Sequence, residues 1–340
     1  MILKSRPNNF NNIRNLLAIL VFITHWNILT GFDSELLIFH LSGFAIDSFF
    51  VVSGFLIWWS FDSDNNFYNF YLKRFFRIFP LYFLVILFQS LFFYVVASEE
   101  KSEVINYFVA NIFFLNFIVP TVGDSFLGLN VNAINGSLWT LKNELFFYFI
   151  VPLLYFMYKR FGVKSLLIVF LFSALYYIFF RFMKSDYYFI YKSLSKDKMM
   201  VLFPAQLRLF VAGILIYIYV NKVEVRNPVL LFLLSLLLIV LFRGGDIFRS
   251  FFYPVFLGFF IIFLVYHVKV FIFRFDFSYS LYIVHFPLIQ LMLYFNINPS
   301  NALFSFILIL SLTLGISLFS EKYIENKFVL VGRGLLESKR

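Results

Sequence analysis

The sequence predicts an all-α integral membrane protein, a polytopic bundle of about ten transmembrane helices plus one short re-entrant segment, with both termini cytoplasmic. The first observation is composition: of 340 residues, 62% are hydrophobic and only 14% are charged. Soluble domains carry about 45–50% apolar and about 25% charged residues. The second observation is that apolar runs long enough to span a bilayer recur along the whole chain. An ordinary soluble domain, a disordered chain and a nucleic-acid-binding module are therefore excluded, despite a net charge of +10.

Ten apolar runs are predicted to form the spans, because a membrane helix needs about 20 mostly apolar residues. In chain order they cover residues 10–29, 40–61, 76–97, 138–158, 163–181, 200–220, 228–242, 251–267, 278–295 and 302–321. A further run near 105–120 is short and ends in Pro120, and we predict that it enters the membrane and returns. The first run is too long for a signal peptide and lacks a small-residue cleavage site, so we expect it to be retained. The whole chain, 1–340, is predicted to be one membrane domain with a short cytoplasmic tail at 322–340.

Charge distribution sets the predicted orientation, since cytoplasmic loops are enriched in lysine and arginine. This topology places 17 of the 28 Lys and Arg residues inside and 9 outside. The outer loop 182–199 departs from the rule with four lysines, either as tolerated variation or as a basic patch for an anionic substrate. The chain has no cysteine, which excludes disulfides, thiolate metal sites and a cysteine nucleophile. No histidine pair or acidic loop has the spacing of a metal site, so we predict no metal.

Ionisable side chains inside spans are costly and therefore mark candidate functional residues. Arg14 and His25 lie eleven residues apart in the first span, on one stripe of the helix and about 16 Å apart along its axis. Arg14 is expected near the inner surface and His25 in the outer half. The alternatives are an arginine that extends to the membrane interface and a histidine that packs in the core. Arg208 is a further charge within a predicted span.

Two intramembrane carboxylates are candidate partners for His25. Asp47 shares a helix face with Gly43 and Gly54, where another helix could approach closely, and it could equally make a structural hydrogen bond. Glu144 falls in the outer half of its span, at a depth like that of His25. A histidine oriented by a carboxylate is the minimal equipment of a general base.

Two further motifs carry polar groups at helical spacing. Arg74 and Arg77, in "KRFFRIFP", could bind lipid phosphate or hold a phosphorylated cytosolic ligand. Ser278, Tyr282 and His285 share one face of the ninth span, and His285 is either functional or a packing residue. Pro287 removes a backbone donor two residues later, so a kink and a freed carbonyl are predicted there.

Five segments in this order resemble acyltransferase family 3, the polytopic O-acyltransferases of bacterial surface glycans. They are Arg14 with His25, "AIDSFFVVSGFLI", "KRFFRIFPLY", "GSLWTLKNELFFY" and "FSYSLYIVHFPLI", which together span residues 14–289. The chain departs from the family pattern in two places, with Ala45 where the family has glycine and Leu145 where it has a second acidic residue. From the short segment after the helices we expect the stand-alone type, without a hydrolase-like domain.

The resemblance implies an acyl-CoA donor, usually acetyl-CoA, on the cytosolic side, and a glycan or undecaprenyl-linked glycan acceptor at the outer face of the bacterial inner membrane. Membrane lipids are the other expected partners, and no nucleic acid is expected. By motif, His25 is assigned as general base, with Glu144 or Asp47 orienting it. The CoA phosphates are expected to bind Arg14, Arg74 and Arg77, which match basic positions of the family. Roles in substrate binding or structure are predicted for five further residues: Trp139, Tyr148, Ser278, Tyr282 and His285.

Three alternatives remain open at this point. A transporter or flippase of a lipid-linked sugar would also need many spans and buried charges. An acyltransferase could act instead on a lipid, on peptidoglycan or on a small secreted molecule. A purely structural membrane subunit would not require the buried charges.

Overall fold

The computed structural model describes residues 8–32, 35–183, 196–223, 226–242, 244–268, 273–297 and 302–337. Within those ranges the regular secondary structure is helical, with no strand, which confirms the predicted all-α class. Most of the lysine-rich outer loop predicted at 182–199 lies outside the described residues.

Thirteen α-helices follow one another in the described chain. They are α1 (Phe10–Thr30), α2 (Ser42–Ser63), α3 (Phe67–Val95), α4 (Lys101–Ile112), α5 (Trp139–Phe161), α6 (Val163–Phe182), α7 (Lys196–Val201), α8 (Phe203–Lys222), α9 (Pro228–Phe242), α10 (Tyr253–His267), α11 (Ser278–Tyr294), α12 (Ala302–Ser320) and α13 (Asn326–Glu337). Short 3₁₀ segments form at Leu37–His40 and Gly136–Leu138, and π-helical turns at Phe248–Phe252 and Glu321–Glu325. Each predicted span coincides with one α-helix.

Helix boundaries follow local chemistry. α3 begins well before the predicted residue 76 because the side chain of Asn66 accepts a hydrogen bond from the Asn69 N–H at 3.1 Å and caps the helix. α5 and α6 are separated by Gly162, whose φ of +71° is readily adopted by glycine and ends the first helix.

Among the described residues, seven helical segments are long and apolar enough to cross a membrane. They are Phe10–Thr30, Ser42–Ser63, Phe67–Val95, Val163–Phe182, Asp197–Lys222, Phe248–His267 and Ala302–Glu337. This finding confirms a polytopic membrane helix bundle. The count of ten spans also includes α5, α9 and α11; it remains a prediction, as does the cytoplasmic placement of both termini.

The chain divides into two compact units that alternate along the sequence. Unit 1 comprises Met1–Ile13, Ile46–Phe70 and Asn143–Phe271; unit 2 comprises Arg14–Ala45, Tyr71–Lys142 and Ile272–Arg340. That the chain forms one domain remains a prediction.

In unit 1, glycines allow α2 and α8 to pack with their backbones in contact. A Cβ atom on Gly54 would collide with the Phe210 carbonyl, and one on Gly213 with the Val51 carbonyl. The prediction of close helix approach is thus confirmed for Gly54. It is wrong for Gly43, which faces open space.

In unit 2, α3 and α11 run parallel, as contacts at both ends indicate. The Tyr279 hydroxyl donates to the Ile78 carbonyl at 2.8 Å near the start of α11, and the rings of Phe92 and Tyr294 are 5.6 Å apart near its end. α12 runs the opposite way along α11, where the Ser280 hydroxyl lies 3.0 Å from the Ser317 carbonyl.

The segment after α3 turns back on itself. α4 runs antiparallel to α3, since Tyr107 donates to Gln89 at 2.8 Å and the Tyr82 hydroxyl reaches the Asn111 carbonyl at 2.5 Å. The chain then returns along α3, and the ring of Phe126 lies 5.3 Å from that of Phe93. This is the course expected of a re-entrant segment, and its entry into the membrane remains a prediction.

The C-terminal segment forms a helix although it was predicted only as a tail. Gly332 of α13 lies directly against the Phe76 ring of α3, and the rings of Phe76 and Phe328 are stacked 6.5 Å apart. The preceding π-helical turn is buried at Glu321 and Glu325.

Candidate active site

Two histidines from α1 and α11 meet in the interior of unit 2. The Nδ1 atom of His25 lies 2.7 Å from Nε2 of His285, and the two rings are stacked with an interplanar angle of 10°. His285 is fully buried, whereas His25 is half-buried. The two histidines are 260 residues apart in the sequence, so their pairing could not be predicted from spacing.

Hydrogen bonding assigns the proton positions of the pair. Nδ1 of His285 lies 3.0 Å from the Leu281 carbonyl, which can only accept, so that nitrogen carries the hydrogen. In the neutral ring, Nε2 of His285 is then an acceptor, and His25 donates to it through Nδ1. It follows that Nε2 of His25 is unprotonated. Its lone pair is therefore available to accept a proton.

The polar residues predicted to share one face of α11 contact different partners. The Ser278 hydroxyl donates to Asp276 at 2.6 Å, at the start of the helix. The Tyr282 hydroxyl lies 2.7 Å from the Thr140 hydroxyl, next to the start of α5. Tyr282 is also a ring neighbour of His285, with centroids 5.9 Å apart, and so belongs to the surroundings of the histidine pair.

A cluster of arginines and carboxylates forms at the other end of the same helices. Oδ2 of Asp276 accepts from Arg14 at 2.5 Å and from Arg77 at 2.9 Å. The side chain of Glu325 is almost fully buried, 3.9 Å from the other terminal nitrogen of Arg77. The two carboxylates thus hold Arg77 between them, while Arg14 is bonded through Nη1 alone among the described residues.

The loop residue Asp276 is ionised at every physiological pH. Burial raises the pKa of this carboxyl, but the Arg14 and Arg77 guanidiniums and the Ser278 bonds outweigh it and lower the pKa to about 2. The carboxylate therefore remains a fixed counter-charge for the two arginines.

The remaining predicted residues lie in separate places. In unit 1, Tyr148 donates to Glu144 at 2.6 Å within α5. Asp47 accepts a hydrogen bond from Tyr253 and interacts electrostatically with the buried Arg208. In unit 2, Trp139 is the first residue of α5, and Arg74 lies one turn before Arg77 on α3.

The sequence model of a family described as an acyltransferase domain matches residues 8–321. The chain belongs to acyltransferase family 3. This membership, with the apolar helices, makes the protein a multi-pass membrane member of that family.

A curated relative of this chain is Nodulation protein 10 of Rhizobium leguminosarum bv. viciae, which is 31% identical over 179 residues. The match covers 48% of this chain and 48% of the relative, so it spans about half the length of that protein. No solved structure matches the chain.

Sequence reasoning missed two carboxylates of the arginine cluster, Asp276 and Glu325. Ionisable groups inside predicted spans mark candidate residues, whereas these two carboxylates lie just beyond the ends of predicted spans. A signal existed, since each carboxylate stands beside an apolar run at the end where the arginines are expected.

In the described residues, no group of three or more His, Asp or Glu side chains could hold a metal ion.

Proposed function

We propose that the protein is an O-acetyltransferase. It moves an acetyl group from cytosolic acetyl-CoA to a hydroxyl of a surface polysaccharide or its lipid-linked precursor, in the inner membrane of a bacterium. Family membership supports the acyl transfer, and the resemblance of the motifs to glycan O-acyltransferases supports the acceptor class. The single observation that carries the mechanism is the 2.7 Å contact between Nδ1 of His25 and Nε2 of His285, from which an unprotonated Nε2 on His25 is inferred.

His25 acts as the general base. Its Nε2 takes the proton of the acceptor hydroxyl while that oxygen attacks the thioester carbonyl carbon. The tetrahedral intermediate collapses with cleavage of the C–S bond, and the CoA thiolate takes the proton back from Nε2. The products are an ester and CoA, so protons and electrons balance without a further reactant.

His285 supports the base in the place that the sequence analysis gave to a carboxylate. When Nε2 of His25 gains a proton, the bond from Nδ1 to His285 becomes charge-assisted and strengthens. The Leu281 carbonyl, on the far side of His285, keeps that ring in the accepting tautomer. Catalytic roles for Glu144 and Asp47 stay predictions.

The arginine cluster suits the phosphates of CoA. Arginine offers paired N–H donors that match phosphate oxygens, and Asp276 fixes Arg14 and Arg77 side by side. Arg74 adds a third positive charge one turn away on α3. Along α1, Arg14 lies about 16 Å from His25, a separation that the pantetheine arm between the phosphates and the thioester can bridge.

The test of this function is mass spectrometry of cell-surface polysaccharide from strains with the wild-type protein, with His25→Ala at equal membrane levels, and with neither. We expect an acetyl mass increment with the wild type alone. Equal acetylation by both proteins would show that His25 is a packing residue. Altered glycan export with no added acyl group would instead support a transporter.

A second prediction concerns the donor site. Arg14→Lys should raise the KM for acetyl-CoA about ten-fold with little change in kcat, because the charge is kept but the paired donors are lost. Steady-state kinetics of the purified protein provide the measurement, with Arg160→Lys, the same exchange at an exposed arginine of α5, as the control. A lowered kcat at unchanged KM would contradict a role in donor binding.

A further inference from the structure

Pro287 leaves a carbonyl of α11 without its helical donor. Proline has no N–H, so the carbonyl of Ile283, four residues earlier, cannot form the usual helix bond. His285 stands midway between these two residues. The position of the His285 ring therefore depends on a helical turn that lacks one of its backbone hydrogen bonds.

A side chain from outside the helix replaces the missing donor. Nδ2 of Asn135 donates to the Ile283 carbonyl at 2.9 Å, and Asn135 is buried. Its Oδ1 accepts from the Ser137 backbone N–H at 3.3 Å, and because an N–H can only donate, this contact fixes which end of the amide faces the helix. The Ser137 hydroxyl also lies 3.1 Å from the Tyr282 carbonyl. The segment therefore contacts the carbonyls of two successive residues of α11, Tyr282 and Ile283.

Gly136, between Asn135 and Ser137, packs against the same turn of α11. Gly136 faces the ring of Phe286, and a Cβ atom there would lie only 2.7 Å from that ring. Phe286 in turn makes an edge contact with His25, with ring centroids 5.3 Å apart. The segment from Asn135 to Ser137 thus lies against the stretch of α11 that carries His285.

We propose that Asn135 is a positioning residue for the histidine pair. By satisfying the carbonyl freed by Pro287, it holds the turn in which Nδ1 of His285 reaches the Leu281 carbonyl and Nε2 reaches His25. This proposal rests on the proposed role of His25 as the base.

The test combines a loss with a predicted rescue. Asn135→Ala should lower kcat about 100-fold, since small misplacements of a catalytic group have effects of that size, with less than about two-fold change in the KM for acetyl-CoA. Pro287→Ala restores the N–H and with it the bond to Ile283. The double variant Asn135→Ala/Pro287→Ala should therefore recover to within about five-fold of Pro287→Ala alone.

Asn130→Ala is the matched control, because Asn130 also donates to a helix carbonyl, that of Leu29, at 2.9 Å. It should leave kcat within about two-fold of wild type. An unchanged kcat in Asn135→Ala, an equal loss in Asn130→Ala, or a folded double variant that stays as slow as Asn135→Ala would each overturn the proposal. If Asn135→Ala alone does not fold, a folded and active double variant still supports it.

A readout without substrate separates this proposal from the proposed function. ¹⁵N NMR of the histidine rings in detergent should show His285 protonated at Nδ1 in the wild type, a changed pattern in Asn135→Ala, and the wild-type pattern in the double variant. If the wild type transfers no acetyl group, the proposed function fails, and the spectra alone decide whether Asn135 positions the pair. Identical spectra in wild type and Asn135→Ala would overturn that positioning role.

Discussion

Replacing His25 by glutamine will lower kcat for acetyl transfer by about 10²–10⁴-fold and change the KM for acetyl-CoA less than about three-fold. Glutamine is close in size and can still bond to His285, but it cannot accept the proton of the acceptor hydroxyl. The measurement is steady-state transfer by the purified protein, with circular dichroism and thermal unfolding to show that the variant is folded. His267→Gln, at the end of α10 in unit 1, is the control for loss of a histidine.

Variants of His285 test whether the two histidines act as a pair. His285→Leu removes the acceptor for Nδ1 of His25 and should also lower kcat, but the double variant His25→Gln/His285→Leu should be little slower than His25→Gln alone. Residues that act as one unit give such non-additive losses. Independent, multiplying losses in the double variant would mean that His285 acts outside the pair. A kcat of His25→Gln near that of the wild type would remove the general base altogether.

The helices could be predicted from the sequence because their cause is local. Runs of apolar residues of membrane length identify a helix wherever they occur, and each predicted run has its helix in the structure. The C-terminal helix α13 was missed because it is amphipathic and short, and its packing through Gly332 depends on the position of Phe76. Such contacts between distant segments leave no periodic signal.

The individual residues of the candidate site could be predicted from the sequence, but the contacts between them could not. Arg14, His25 and His285 were singled out because ionisable groups are rare in spans, and Arg77 because arginines at the membrane face suit phosphate. The bonds among them depend on α1, α3 and α11 lying side by side, which spacing along one helix cannot reveal. For that reason a carboxylate was expected at His25, whereas the structure places His285 there.

Asp47 is the residue for which stability and catalysis can be separated most sharply. Arg208 is buried at 1% exposure, stands 3.7 Å from the Tyr177 ring, and has a buried Nε without a hydrogen-bond partner. Among the described residues, Asp47 supplies a nearby negative charge, and it also interacts with the exposed Arg249. The guanidinium of Arg208 therefore depends on Asp47 for charge compensation.

We expect Asp47→Ala to lower the free energy of unfolding by about 3–5 kcal/mol, because it leaves a buried arginine uncompensated. The double variant Asp47→Leu/Arg208→Met should regain most of that loss, since apolar side chains can replace a buried charge pair. Thermal and urea unfolding in detergent measure both. Asp62→Ala is the control on α2, where the loss of one bond from Tyr217 should lower stability by only about 1 kcal/mol.

Activity of the double variant then decides the role of Asp47. If the stable double variant still transfers acetyl groups, Asp47 serves to hold Arg208 in the interior of unit 1, and the match of its motif to the family reflects folding. If Asp47→Ala is as stable as the wild type but inactive, the charge pair is not the reason for the aspartate, and the catalytic role predicted from the sequence is the better account. A destabilised but active Asp47→Ala supports the structural role directly, because catalysis would survive the loss of the carboxylate.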